Sequence, residues 1–453
     1  MSRLLIQYGA GLLMAVCLWS SAMPVTEVCA ARPAVVPREV QNLYEKKEYQ
    51  RALEELAKLD QDTAAAPDIR RLKVRSLVGL GNPKEALEEY DKLYSVLKQD
   101  DQLLLREVAL GFIIVMMKDM REQMRGAAYS ALKEIGAREA LPYLEDGLTD
   151  GSGVVRALVV EALSLTEEGR RSPKLAKALD DQAGMVKAAA LKALGRTKNP
   201  SVRPLLEQGL KDELSAVQLA AAAGLFSLGQ TKYWDQIRQI AGSMNPEERA
   251  AALRVLGELK DSRALPILVE ALKNPQPSVR GAAAAALGDL GMPEAVPELK
   301  VMLKDKIPAV RTSSAVSLGE LGDKSAIPAL KEALEQGNPV VQAAAVSALL
   351  RLNEPFGSVA SVVRRLSQQQ DPGTRAAAGR ALGRAEGKNV EAAVGFLEGL
   401  LEDPIPRPRI AAARSLGHIG GDDVLPLLKQ KLHDEDDAVR ATVAGALVHI
   451  MNK

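Results

Sequence analysis

The chain has 453 residues, 47% of them hydrophobic but only 3% aromatic, so Ala, Leu and Val supply the apolar content. Large cores and interfaces usually lean on aromatic side chains for buried area; this chain must bury small side chains in many similar contacts. The 59 Lys and Arg balance 58 Asp and Glu, for a net charge of +1. That balance excludes a polybasic nucleic-acid binder as the default, and the scarcity of aromatic faces excludes single-strand binding by base stacking. Three His and two Cys leave little for metal or thiol chemistry.

Residues 1–30 read as a secretory signal peptide. Arg3 precedes an apolar stretch from about Ala10 to Met23, and Val28-Cys29-Ala30 offers a small-x-small pattern for cleavage after Ala30. The stretch is shorter than the roughly 20 residues of a membrane helix. Cleavage would remove Cys17 and Cys29 and leave a chain without cysteine. The expectation is an exported protein, periplasmic or otherwise extracytoplasmic, with no integral membrane segment once the signal is gone.

Residues 31–101 carry a period of 34, in which Leu43 matches Leu77, Ala52 matches Ala86 and Leu53 matches Leu87. The two units resemble the helix-turn-helix of tetratricopeptide repeats, whose second helix presents a small Ala to the first. The Trp-x-x-Leu-Gly element of that family is missing. The resemblance implies a groove suited to a helix or an extended peptide.

Residues 102–453 change to a period of 31. Arg125, Arg156, Lys187, Gln218, Arg249, Arg280, Arg311 and Gln342 keep that step, and Arg375, Arg409 and Arg440 follow at 33, 34 and 31. Pro142, Pro173, Pro204, Pro266, Pro297 and Pro328 hold the same register, as do Asp150, Asp181, Asp212, Ser243, Asn274 and Asp305. Eleven units of the form V-R-x-A-A-x-x-A-L-G result, each read as two helices. Helix A has its Pro near the start, where a missing N–H costs nothing. Helix B starts at Val-Arg and stops near a Gly such as Gly288 or Gly319. With the Val counted as offset zero, offsets 0, 3, 4, 7, 8 and 11 share one face and form the buried stripe. Ala at three of them brings neighbouring helices to the short end of the usual spacing of roughly 8–10 Å. A longer interval around Asn353 to Asp371 disturbs the period and predicts a local bend.

These units resemble HEAT repeats of the short PBS lyase HEAT-like type. The resemblance implies an all-α fold, a right-handed α-solenoid of about eleven 31-residue pairs preceded by the tetratricopeptide-like pairs, with helix B on the concave side. At about 10 Å per step, eleven repeats would trace an arc on the order of 100 Å. The fold would then offer an extended concave surface to a partner.

Candidate sites follow from the repeat. The recurrent Arg, with a loop Asp or Asn about six residues before it (Asp305 before Arg311, Asn274 before Arg280), is expected to be a structural ladder bridging its own loop and a neighbouring repeat, against an anion-binding row as the alternative. His418, His433 and His449 lie in the last two repeats. Deoxyhypusine hydroxylase, a di-metal enzyme on similar repeats, relies on His-Glu dipeptides. Here Ile, Asp and Ile follow the three His, and His418 and His449 are expected at roughly 10 Å across successive helices, as surface residues. No phycobilin-lyase element lies outside the repeats, and no HExxH, CxxC, G-x-S-x-G or P-loop is present. No catalytic, metal or cofactor site is predicted, so an enzyme is the alternative and not the expectation.

Offsets 2, 6 and 10 of helix B point away from the stripe. They group by sign: Glu258, Asp289 and Glu320 in succession, then Arg351, Arg380, Arg384 and Arg414, with His418 beyond. A solvated face with chance clustering is the plain account. The functional one is a bipolar groove that orients an elongated protein partner of complementary charge. The expected function is an exported, non-catalytic scaffold, or an accessory subunit of an envelope complex, binding protein and no nucleic acid.

Overall fold

A computed structural model describes residues 36–453 except Ala137, so the signal-peptide reading of residues 1–30 lies outside the described residues. Among the described residues every regular element is a helix. Two hairpins come first: α1 (Arg38–Glu45) with α2 (Tyr49–Leu56), then, after a short α3 (Gln61–Ala65), α4 (Pro67–Leu80) with α5 (Pro83–Leu97). The 34-residue period is visible in the backbone. Lys47 and Gly81, one period apart, turn their hairpins with left-handed φ of +60° and +82°. Ala52 and Ala86 are fully buried.

Eleven pairs follow. They are α6 (Gln102–Met116) with α7 (Glu122–Ile135), α8 (Leu141–Gly147) with α9 (Gly153–Leu165), and α10 (Glu167–Arg170) and α11 (Pro173–Lys177) with α12 (Gly184–Arg196). Next come α13 (Arg203–Gly209) with α14 (Ser215–Ser227), α15 (Tyr233–Ala241) with α16 (Pro246–Glu258), α17 (Ala264–Ala271) with α18 (Pro277–Leu290), and α19 (Val296–Met302) with α20 (Pro308–Leu321). The last four are α21 (Ile327–Leu334) with α22 (Pro339–Arg351), α23 (Ala360–Ser367) with α24 (Pro372–Leu382), α25 (Val390–Leu401) with α26 (Pro406–Ile419), and α27 (Leu425–Lys431) with α28 (Asp437–Met451). Each second helix packs along the next second helix. In α18 the predicted stripe is buried as expected: Val279, Ala282, Ala283, Ala286, Leu287 and Leu290.

The helix stops differ from the sequence reading. Gly288 and Gly319 lie inside α18 and α20, which end at Leu290 and Leu321 on the left-handed caps Gly291 (φ +75°) and Gly322 (φ +72°). The interior glycines serve packing. A Cβ on Gly257 would fall 2.4 Å from the Ala286 carbonyl oxygen, and one on Gly319 2.7 Å from Ala348 Cα. Position nine of one helix therefore lies directly on the backbone of the next.

The arginine ladder forms as predicted. Arg280 Nε and Nη2 donate to Asp305 at 2.7 and 3.0 Å, while its Nη1 donates to the carbonyl of Asn274 in its own loop at 2.8 Å. Arg156 joins Asp181 and the Asp150 carbonyl in the same way, and Arg375 joins Asp403 and the Gln369 carbonyl. Each Asp also accepts the amide two residues on, as Asp305 does from Ile307 at 2.8 Å. Gln218 and Gln342 keep only the loop half, to the carbonyls of Asp212 and Leu334. Arg249 and Arg311 likewise bond only a backbone carbonyl, of Ala241 and Asp305, and Arg311 Nε is buried without a hydrogen-bond partner. The other ladder arginines are engaged by backbone and carboxylate, which favours the structural ladder over the anion-row alternative. At the longer interval, buried Asn389 staples the loops: its side chain accepts from Phe356 N at 2.9 Å and donates to the Glu354 carbonyl at 2.8 Å. Helices α22 and α24 remain neighbours across it.

The ends of the array meet. Helix α28 packs against both α6 and α7, so the eleven second helices form a closed cycle. This corrects the expectation of an open arc. Nearly every residue of α28 from Ala438 to Ile450 is buried, and one continuous core includes Val74, Ala86, Phe112, Leu132 and Leu447. At the seam a Cβ on Gly445 would meet Ala131 Cβ at 3.0 Å. Elsewhere offset nine meets offset seven; here offset six does, a shift of about one helical turn. Polar contacts seal the edges: Arg106 Nη2 donates to Asn452 at 2.7 Å, Lys429 Nζ reaches Asp100 at 2.5 Å, and His433 Nε2 lies 2.8 Å from Asp91. Lys429 also lies over the Tyr94 ring, 3.4 Å from its centroid.

Candidate binding surface on the inner face

The curvature places the second helices inside. Lys192 Nζ on α12 reaches Glu258 on α16 at 2.6 Å, passing over α14, which presents Ala223 and Ser227 between them. Side chains from helices two apart meet only across a concave surface. Offsets six and ten therefore line the interior. Eleven helices at roughly 9 Å between neighbours put their axes on a circle about 30 Å across, and helices roughly 10 Å wide leave about 20 Å between opposite walls.

The predicted acidic residues share this wall. Glu258 is committed to Lys192, whereas Asp289 and Glu320 are exposed, and among the described residues no cation lies within 4 Å of either. Burial against the inner wall raises the Asp289 carboxyl, and neighbouring Glu258 raises it further. Glu320 is raised by burial and then by Asp289, with Arg351 and Arg384 opposing. Like charges here are crowded and only partly neutralised.

The basic residues divide. Arg351 on α22 and Arg380 and Arg384 on or beside α24 are exposed, and among the described residues no carboxylate lies within 4 Å of them. Burial lowers the Arg380 guanidinium, and the charges of Arg407 and Arg414 lower it further. Arg351, Arg384, His418 and the backbone of Gly383 and Gly387 line an open cavity of about 470 Å³, with Glu386 on its wall.

Arg414 and His418 have a second role that sequence reasoning missed. Arg414 Nε and His418 Nε2 each lie 2.9 Å from the two oxygens of Glu134 on α7, across the seam. Burial alone would raise Glu134, but His418 and Arg414 outweigh it and hold the carboxyl below its usual range. His418 and His449 stack edge to face with ring centroids 6.3 Å apart, closer than the expected 10 Å. Burial first, then Lys453, lowers His449 and favours its neutral form. Neither ring is an idle surface residue. Among the described residues no group of three or more His, Cys, Asp or Glu converges as a metal ion would need, and no helix is long and apolar enough to cross a membrane.

A closed array of helix pairs, held by stacked Ala stripes and an Arg-Asp ladder, defines an all-α helical-repeat solenoid. The chain belongs to the HEAT-repeat family: the family model of HEAT repeats matches residues 172–238, 234–316, 278–350 and 359–448, more than half of it. Solved structures similar to it include human deoxyhypusine hydroxylase in complex with glycerol, at 21% identity and a TM-score of 0.31, covering 56% of this chain and 98% of that one. Another is the complex of CpcE and CpcF of phycocyanin lyase from Nostoc, at 19% identity and a TM-score of 0.35, covering 57% of this chain and 94% of that one. No curated protein matches the chain.

Proposed function

We propose that this protein is an exported, non-catalytic scaffold that binds another protein along its inner face. The observation that carries the reading is the separated charge on that face. The ladder arginines donate to loop carbonyls and, in most repeats, to a carboxylate of the next loop, while Asp289, Glu320, Arg351, Arg380 and Arg384 point into the interior with no oppositely charged group within 4 Å among the described residues. Complementary charges on a partner would fix its direction along the wall more than they add affinity. Export rests on the pattern of residues 1–30, and N-terminal sequencing of the mature chain from the cell envelope checks it, with Ala31 expected first.

Crosslinking in the native envelope followed by mass spectrometry names the partner. The double variant Arg351→Glu, Arg384→Glu should then capture at least tenfold less of it at an unchanged melting temperature. Undiminished capture sinks the reading. Stoichiometric iron or zinc in the purified protein would replace it with an enzymatic one.

A further inference from the structure

We infer that the basic end of the inner wall is the anchor, and that it takes a carboxylate-rich, extended segment of the partner chain. This rests on the scaffold reading and names the chemistry of its ligand. Two observations and one rule of geometry point the same way. Glu258 already has Lys192, so the acidic end offers two open groups, Asp289 and Glu320, whereas Arg351, Arg380, Arg384 and Arg407 have no carboxylate within 4 Å among the described residues. The basic end adjoins an open cavity of about 470 Å³ with two arginine forks, Arg351 and Arg384, on its lining beside Glu386. Planar guanidinium forks match carboxylates in two-point geometry, which a lysine cluster would not.

Closure sets the form of the ligand. An interior of about 20 Å between opposite walls, narrowed by long side chains, admits an extended strand or a single helix and excludes a folded domain. Because α28 is sealed on α6 and α7, the segment cannot enter through the seam. The next residues of the segment would then run along α20 and α18 past Glu320 and Asp289, so a basic residue there is favoured.

The probe is a fluorescein-labelled dodecapeptide of alternating Glu and Ser, with a Lys-Ser peptide and a twelve-base oligo-dT as comparisons, read by fluorescence anisotropy on the full chain. The Glu-Ser peptide should bind saturably, weaken with added salt, and lose at least tenfold affinity in both Arg351→Glu, Arg384→Glu and the milder Arg351→Gln, Arg384→Gln. Thermal melts of both variants should match the parent. Glu320→Gln should bind at least as well as the parent. The inference is overturned by absent saturation at low salt, equal binding of the Lys-Ser peptide, tighter binding of oligo-dT, or unaltered affinity in the Gln variant. If the peptide fails while the native partner is still captured and is lost on neutralising Asp289 and Glu320, the scaffold reading stands and the basic anchor falls.

Discussion

At the scale of single residues, glycine carries the least obvious information. Position nine of the second helix is Gly195, Gly257, Gly288, Gly319, Gly383 or Gly417 in six repeats. In sequence this reads as a helix end, because Gly commonly caps one. The structure gives a different cause: the next helix lies so close that a methyl group has no room. Gly257→Ala should therefore lower the thermal midpoint, because overpacking of about 1–3 kcal/mol outweighs the roughly 1 kcal/mol that Ala gains in helix propensity. Gly126→Ala is the control. It sits inside α7 with nothing within 4 Å of the added Cβ, so it should stabilise by up to about 1 kcal/mol. Differential scanning calorimetry on the pair decides the matter, and a midpoint for Gly257→Ala at or above the parent's would refute the contact. The Arg-Asp ladder, by contrast, was legible at this scale, since its two partners recur at fixed spacing.

At the scale of elements, α28 is the helix that departs from its siblings. Offset six holds Arg380 in α24 and Arg414 in α26, but Gly445 in α28; offset nine holds Gly383 and Gly417, but Val448. A terminal repeat in an open array needs a polar outer face, and α28 is apolar nearly all round, the mark of a helix covered on every side. The apolar run from Val108 to Met116 in α6 is its counterpart. Both signals were in the sequence. Closure was not read from them because periodicity reports each repeat's nearest neighbours and is silent about which repeats meet end to end. The same blindness hid the second role of Arg414 and His418, whose partner Glu134 belongs to the first repeat. The charge grouping of the inner wall was legible, since it needs only the offset and the helical period. Gly445→Leu forces a branched side chain against Ala131 and should part the seam. Small-angle X-ray scattering would then show a larger maximum dimension with helix content by circular dichroism nearly unchanged, while an unchanged scattering profile would mean that the seam tolerates the intrusion.

At the scale of the whole molecule, acid sensitivity is set by many small contributions of one sign. Burial raises Asp305, but its bonds from Arg280 and the Ile307 amide win, and the net shift is downward. Asp403 behaves alike, Asp181 is lowered first by Arg156, and Asp212 first by Lys187. A carboxyl depressed in the folded chain stabilises it above the ordinary aspartate pKa of about 4 and loses that contribution as pH falls through the folded value. Asp289 and Glu320, both raised, have the opposite sign and gain on protonation. The ladder members outnumber them, so the melting temperature should hold from pH 7 to about 5 and then fall steadily below about 4. Thermal melts across that range test it, and a midpoint that rises on acidification would show that the inner wall dominates.

The one-turn shift at the seam also makes the protein a counter. Open repeat arrays gain and lose units freely, because each added pair simply extends a line, and this is the ordinary currency of their evolution. Here Gly445 meets Ala131 only when eleven steps of curvature and rise have accumulated. Duplication or deletion of a repeat, which merely lengthens or shortens a line, must in a ring be accommodated at the seam where α28 meets α6 and α7.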